Sequence, residues 1–424
     1  MIFTTKQTGD KGEAYAAKYL KKHKYKIIAR NYKKPYGEID IIAENKEVIA
    51  FVEVKTRKEN SLTQPVDAVN RKKQMKILKT ADMYMYENNI DKECRFDVCE
   101  VFVNSDNLKL VGMNFFDLHC DTLYKAVTEK SELDNPSYEV KLNNNSKSHW
   151  LQCYAIWLPD TLDGNAAEKL FFKSADYLKS ECNRLGIELL GIGEFTDNAF
   201  SKYRNSAFFT VENGKALNGK IENVKRFAEI GVRIMTLTWN DINEIGSGVL
   251  SEDKCGLTDF GKLAVAEMEK YGIVIDISHA SDELFYDVVN QTNKPFIATH
   301  SDSRTITQNP RNLTDEQIKI IIQRGGLIGL NLHNAFLNNN PDKACMNDIL
   351  KHCEYMLSLG CENSLCFGTD FDGCDLPRDI VGSDSIGEIY ELFLRNNYNE
   401  SVLKKIFYEN AYNFFENFDN QRIM

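Results

Sequence analysis

The 424-residue chain contains no run of apolar residues approaching membrane-spanning length, which takes roughly 18 in a row. The opening segment MIFTTKQTGDKGEAYAAKYL lacks the apolar core and small-residue cleavage site of a signal peptide, and no hydrophobic tail is present. A cytoplasmic protein with no membrane partner is therefore expected. None of the 11 cysteines forms a Cys-x-x-Cys pair. That spacing argues against a cysteine zinc site and for reduced thiols, several of them buried as small hydrophobes. Internal repeats and low-complexity tracts are missing, apart from short asparagine runs at 143–145 and 338–340 that read as loops. With 43% apolar and 27% charged residues, the composition is that of a globular protein and excludes a disordered chain, a collagen and a disulfide miniprotein. The length suits two or three domains, or a large barrel with a smaller companion.

Charge is distributed unevenly. Residues 1–112 carry 22 Lys+Arg against 16 Asp+Glu, a net +6, and the remainder carries 30 against 46, a net -16. Opposite signs suggest two units with different partners, the basic one suited either to a polyanion or simply to staying in solution. Turn signals at Asn104-Ser105-Asp106-Asn107 and Gly112 place the boundary there, with no Gly/Ser/Pro linker. Met113 stands where an initiator would, as if two genes had been joined head to tail. The expected domains are 1–112 and 113–424.

In the first unit, Asp10-Lys11-Gly12-Glu13 opens a helix whose Ala14, Ala17 and Leu20 share a face. KYKIIARNY, GEIDIIAEN and EVIAFVEVKTR read as strands, QPVDAVNRKKQMKILKTADMYMYENN as an amphipathic helix and CRFDVCEVFV as a closing strand. Asp40 ends one strand, and Glu53 and Lys55 are two apart on the next, so those two share a face. A hairpin can set Asp40 beside Glu53. Paired carboxylates form a hard-oxygen site for magnesium, and a neighbouring lysine can position water and stabilise phosphorane-like charge. That is nuclease chemistry, and the basic surface suits DNA. Alternatively, Glu53 and Lys55 form a surface ion pair, and Glu13 completes a helix cap.

The pattern Glu13, GEID, FVEVKTR, Gln64-Pro65 and RFDV resembles the uncharacterised YraN-type proteins, relatives of Holliday-junction resolvases and restriction endonucleases of the PD-(D/E)xK fold. The resemblance implies a small restriction-endonuclease-like α/β domain. It also implies a metal site from Asp40, Glu53 and Lys55, with Glu13 approaching from the helix.

The second unit holds eight short apolar runs: 114–119, 151–158, 207–212, 232–238, 272–278, 295–300, 326–332 and 365–370. Helical stretches fill most of the gaps, and an insertion is expected between the second and third runs. Alternation of this kind predicts a (β/α)8 barrel, whose active site lies where strands end. Here the ends carry His119 and Asp121, Glu212, His279, His300 and Asp370. Only His149, His333 and His352 compete with these histidines within the unit. His119 and Asp121 can bind one ion and His279 and His300 a second, with Glu212 bridging. Imidazole and carboxylate ligands favour zinc over calcium or magnesium. Two such ions activate water and polarise a carbonyl, leaving Asp370 as a proton carrier. Singly, Asp121 reads equally as a helix cap, and Asp370 or Asp372 as turn residues before Gly373.

FFDLHCDTL, FFTVENGKAL, GVRIMTLTWNDINEIGSG, GLTDFGKLAVAEMEKYGIVIDISHAS, PFIATHSDSRTITQNPRNLTDEQI, GGLIGLNL and FGTDFDG resemble the membrane (renal) dipeptidase family, from about residue 113 to the end. This resemblance implies a metallo-dependent hydrolase barrel that cleaves dipeptides with two zinc ions. His119 and Asp121 would hold the first, Glu212 would bridge, and His279 and His300 would hold the second. Asp370 is then the general acid/base. Arg311 holds the substrate carboxylate, a role its planar fork fits. Two positions depart from the family. Trp239 replaces a histidine that steadies the oxyanion in mammalian relatives, and Asn213 follows Glu212 where glycine is usual. Two alternatives stand beside this reading: a barrel acting on a cyclic imide or lactam, and a first unit that binds nucleic acid without cutting it.

Overall fold

A computed structural model describes residues 5–46, 48–58, 71–103, 108–110, 113–141, 148–195 and 205–423. Gln64-Pro65, the turn at 104–107, Gly112 and the asparagine run at 143–145 lie outside the described residues. The chain divides into two compact units, Met1–Gly112 and Met113–Met424. Among the described residues no helix is long and apolar enough to cross a membrane.

The first unit runs α1 (Thr5–Lys22), β1 (Lys26–Lys34), β2 (Gly37–Glu44), β3 (Val48–Lys58), α2 (Arg71–Glu87), β4 (Glu93–Val103) and β5 (Leu108–Leu110). The five strands pair in sequence order, antiparallel except for the parallel β3–β4 pair. The short β5 adds an edge strand that was not expected from the sequence. One helix covers each face. Ala16, Ala17 and Leu20 of α1 pack on Ile41, Ala43, Ala50 and Val52. Ile77, Ala81 and Tyr84 of α2 pack on Ile39, Ile42, Ile49 and Phe51. Ala14 is exposed rather than on the buried face, because it lies about 200° round the helix from Ala16.

The second unit opens with β6 (Phe115–Cys120), α3 (Thr122–Glu129), β7 (Trp150–Trp157), α4 (Gly164–Leu185), β8 (Glu188–Leu189) and β9 (Asn205–Glu212). It continues through α5 (Glu222–Ile230), β10 (Val232–Thr236), α6 (Asp259–Tyr271), β11 (Val274–Asp276), α7 (Asp282–Gln291), α8 (Asp315–Gln323) and β12 (Ile328–Leu330). It ends with α9 (Asn334–Leu337), α10 (Met346–Ser358), β13 (Leu365–Phe367), α11 (Ile386–Arg395), α12 (Glu400–Lys404) and α13 (Asn410–Ile423). The parallel path is β11-β10-β9-β7-β6-β13-β12, with β8 beside β9. Bridges Asp276↔Ile297 and Ala298↔Ile328 close the ring through the segment 295–300.

That sixth segment was expected as a strand, and it makes only these bridges. The reason is visible in its amides. Thr299 N–H donates to the Asp276 carboxylate at 2.9 Å and His300 N–H to the Ser278 hydroxyl at 3.2 Å, so the ladder is interrupted by side chains. The carbonyl of Thr299 also lies close against Gly368, just past β13. A Cβ on Gly368 would lie 1.7 Å from it.

Between ring and helices lies a large apolar layer. Inside the ring, Phe116, Leu118, Leu151, Cys153, Phe208, Ile234 and Val274 meet Phe414, Phe415 and Phe418 of α13. Arg233, second residue of β10 and fully buried, pairs with Asp419 of α13 at 2.8 Å. The C-terminal helix thus stoppers the end of the barrel where strands begin. The histidines and carboxylates at the strand ends fall at the opposite end.

Candidate active site

His119 in β6, and Asp121 just past it, start the site. A β-bulge between Asp117 and Cys120 shifts the register there. Asp121 occupies the N-cap position of α3, but its side chain caps nothing. It points instead to His119, with Oδ2 3.6 Å from Nε2. The same Nε2 lies 3.7 Å from Glu212 Oε2 and 3.8 Å from Asp370 Oδ1. On the other side Glu212 Oε1 reaches His279 Nε2 at 2.8 Å and His300 Nε2 at 3.5 Å, and those two nitrogens are 3.0 Å apart. Six side chains from five points round the ring therefore converge, all of them buried.

Backbone strain helps aim them. His279 (φ +68°) and Asp370 (φ +63°) both sit in the left-handed region, which costs a non-glycine residue on the order of 1–3 kcal/mol. Gly373 permits the crowding, since a Cβ there would lie 2.0 Å from Asp121 Oδ2. Asn213 takes the position where glycine is usual, at φ +81°. Its amide offsets the strain by donating to the Leu158 carbonyl at 2.8 Å and to Asp160 at 2.9 Å.

His279 and His300 each have the far ring nitrogen anchored. His279 Nδ1 lies 2.8 Å from Asn240 Oδ1, and His300 Nδ1 lies 2.8 Å from Thr299 Oγ1. Thr299 donates its own hydroxyl proton to Asp276 at 2.6 Å. Asp276 also accepts from Thr236 at 2.5 Å and from the Ser278 hydroxyl at 2.8 Å. A second buried aspartate, Asp117, mirrors it: Thr369 donates its hydroxyl at 2.6 Å and its amide at 2.8 Å, and Gln152 donates at 2.8 Å. These clamps tie β6 to the Asp370 segment and β11 to the His300 segment. Sequence reasoning passed over both aspartates. The available signal was a carboxylate set in an apolar strand, which is costly to bury unless fully hydrogen-bonded.

The electrostatics describe a site that wants positive charge. Burial pushes the Glu212 and Asp121 carboxyls up. Burial pulls His119 down, but the carboxylates of Glu212, Asp121 and Asp370 outweigh it and hold that imidazole raised to about 10. Burial, with Arg311 and His119 nearby, drives His279 and His300 well below the ordinary range, so both are neutral. His119 Nε2 and Asp121 Oδ1 are buried and have no hydrogen-bond partner. Orphaned buried donor atoms of this kind, with carboxylates and neutral imidazoles around them, fit divalent metal ions. The groups His119–Glu212–His300 and His119–Asp121–Asp370 each bring three potential ligand atoms within 4.8 Å of one another.

Arg311 is buried beside this cluster. Its terminal nitrogens donate weakly, to the His300 carbonyl at 3.3 Å and the Ser301 hydroxyl at 3.5 Å, and its Nε has no partner. Burial lowers the guanidinium to about 10, against the pull of Asp370 and Glu212, so it stays charged at neutral pH. Asn331 Nδ2 holds Asp370 Oδ2 at 3.0 Å. Asp372 takes no part in the cluster. It accepts from Thr122 at 2.6 Å and from Lys125 at 2.9 Å. Trp239 lies at the rim, its ring 6.1 Å from that of His279.

In the first unit the ladder pair Ile41↔Val52 leaves Asp40 and Glu53 facing each other one step further on. Asp40 Oδ2 accepts the Val54 amide at 2.6 Å, and buried Glu53 pairs with Lys55 at 2.5 Å. Glu13 is drawn elsewhere, to Asn31 at 2.9 Å and Arg30 at 3.4 Å. Among the described residues, groups of three potential metal ligands occur in the second unit and not in the first.

A (β/α)8 barrel with histidines and carboxylates gathered at its strand ends defines a metallohydrolase. The chain belongs to the membrane dipeptidase family (peptidase family M19), whose model matches residues 108–422. A second model, that of the uncharacterised protein family UPF0102, matches residues 12–101, which is consistent with a fusion. Among curated proteins, an uncharacterised protein in the pqqA 5' region of Klebsiella pneumoniae is 29% identical over 209 residues, spanning 47% of this chain and 77% of that one. A metallopeptidase from Rhodobacter sphaeroides, solved with a phosphinate mimic of the dipeptide L-Ala-D-Ala, superposes with TM-score 0.65 at 20% identity, over 72% of this chain and 99% of its own. A dipeptidase of the same family gives 0.64 at 23% identity, over 72% and 98%. At these identities the likeness speaks to the fold.

Proposed function

We propose that the second unit is a two-zinc dipeptidase. His119 and Asp121 would hold one ion, Glu212 would bridge, and His279 and His300 would hold the other. Bound there, the ions would activate water and polarise the scissile carbonyl. The remaining work belongs to the chain. Arg311 pairs with the C-terminal carboxylate of the dipeptide, using donors that its present partners engage only at 3.3–3.5 Å. Asp370, steadied by Asn331 on one oxygen, keeps the other toward the cluster and passes a proton to the leaving amine. The convergence of three imidazoles, His119, His279 and His300, on the Glu212 carboxylate carries this reading. The test is metal content of the purified protein together with hydrolysis of simple dipeptides. Close to two zinc ions per chain are expected, falling in His119→Ala along with turnover. An unchanged content in the variant, or no zinc at all, would refute it.

For the first unit we propose DNA binding with magnesium-dependent cleavage centred on Asp40, Glu53 and Lys55. The net +6 charge and the buried Glu53 carboxylate beside Lys55 support it. Cleavage of branched DNA should disappear in Asp40→Ala and Glu53→Ala. Equal activity in wild type and both variants would leave only a non-catalytic binding module. The 11 free cysteines are in keeping with action in the reducing cytoplasm.

A further inference from the structure

Three aromatic side chains stand beside the ligand cluster, and the chemistry above uses none of them. Trp157 ends β7 in register with Glu212. Alternation along β7 puts it on the inward face, with Leu151 and Cys153 of the inner core. Its ring meets Tyr124 edge-on at 4.8 Å and Trp239 edge-on at 4.9 Å. Trp239 continues the row toward His279, and Tyr124 follows Asp121 by three residues on α3. All three are half-buried. The indole N–H of Trp157 is buried without a hydrogen-bond partner, whereas buried indoles usually find one. Two of the chain's three tryptophans are spent on this spot.

The ring order fixes which part of a substrate the row meets. Going round the barrel, β6, β7, β9, β10, β11, the 295–300 segment, β12 and β13 follow one another. Arg311 leans on His300, at the end of the sixth position, and β7 is the second, directly across the mouth. A dipeptide with its carboxylate on Arg311 and its peptide carbonyl over the cluster extends its N-terminal residue toward β7.

We propose that Tyr124, Trp157 and Trp239 form the subsite for the side chain of the substrate's N-terminal residue, and that they select aromatic and large aliphatic residues over glycine. This rests on the dipeptidase reading and adds the substrate class to it. Apolar contact in such a pocket discriminates by about 10–200-fold per step in size, so a benzyl side chain against hydrogen gives at least about tenfold.

The experiment measures kcat/KM of the full-length, zinc-loaded protein for phenylalanyl-alanine, leucyl-alanine and glycyl-alanine. The quantity read is the ratio of the first two to the third. Wild type should favour phenylalanyl-alanine over glycyl-alanine by at least about tenfold. In Trp157→Ala, and separately in Tyr124→Ala, the ratio should collapse toward one. Trp157→Phe should recover most of it. A phosphinate analogue of phenylalanyl-alanine should quench tryptophan fluorescence in wild type and bind more weakly to Trp157→Ala. A wild type that turns over glycyl-alanine as well as phenylalanyl-alanine, or a ratio unchanged in both alanine variants, would overturn the subsite while leaving the dipeptidase intact. No turnover of any of the three dipeptides by zinc-loaded protein would instead sink the dipeptidase reading, and the subsite with it.

Discussion

Replacing Thr299 by valine removes one hydroxyl from a relay of three groups while keeping the side chain's shape. In the native chain that hydroxyl has one proton, and Asp276 Oδ2, 2.6 Å away, can only accept it. The oxygen must then accept from His300 Nδ1 at 2.8 Å. This locks the neutral imidazole with its proton on Nδ1 and leaves Nε2 bare, 3.5 Å from Glu212 Oε1. Valine frees the ring to rotate and to take the other tautomer. Losing such an outer partner costs about 10–100-fold in metal affinity, or about 1.4–2.8 kcal/mol at 1.4 kcal/mol per tenfold. The loss should fall on the ion proposed at His279 and His300. The ion proposed at His119 and Asp121 should keep its affinity, since Thr299 touches neither. Competition with a chromophoric chelator resolves the two affinities, and long-range proton–nitrogen NMR on the metal-free protein reads the tautomer directly. Thr299→Ser should restore both. Two wild-type affinities in Thr299→Val, or a proton on Nε2 of His300 in the metal-free wild type, would refute the reasoning.

Other expectations follow from the same geometry. Asp370→Asn keeps the Asn331 contact but cannot carry a proton, and kcat for dipeptides should fall by about 10²–10⁴-fold with little change in metal content. Arg311→Ala removes the carboxylate's partner and should raise KM by about 10–100-fold, the worth of a charge-assisted hydrogen bond. Dipeptide turnover that survives unaltered would favour a cyclic imide or lactam substrate. Asp419→Ala leaves the fully buried Arg233 without its carboxylate, and denaturant unfolding should show a loss of about 3–5 kcal/mol.

Much of the site was legible along the chain because barrels put their chemistry where strands stop. A histidine or carboxylate directly after an apolar run, as at His119, Glu212, His300 and Asp370, is a local pattern with a geometric consequence. In the first unit, too, period-two alternation was enough to place Glu53 and Lys55 together. Composition and charge likewise told the two units apart.

What joins distant segments left no such trace. Asp117 and Thr369 are separated by 252 residues, so no window of sequence shows that one clamps the other. The segment 295–300 reads as a strand by its apolar run, yet Asp276 and Ser278 take its amides, and only their position in space reveals that competition. The row of Tyr124, Trp157 and Trp239 comes from three separate elements and exists only once the ring has closed. Local alternation and strand ends are properties of neighbours in sequence, and the chain by itself determines them. Which buried group satisfies which, and what stands across the mouth from Arg311, depends on contacts between residues far apart, and only the tertiary structure decides those.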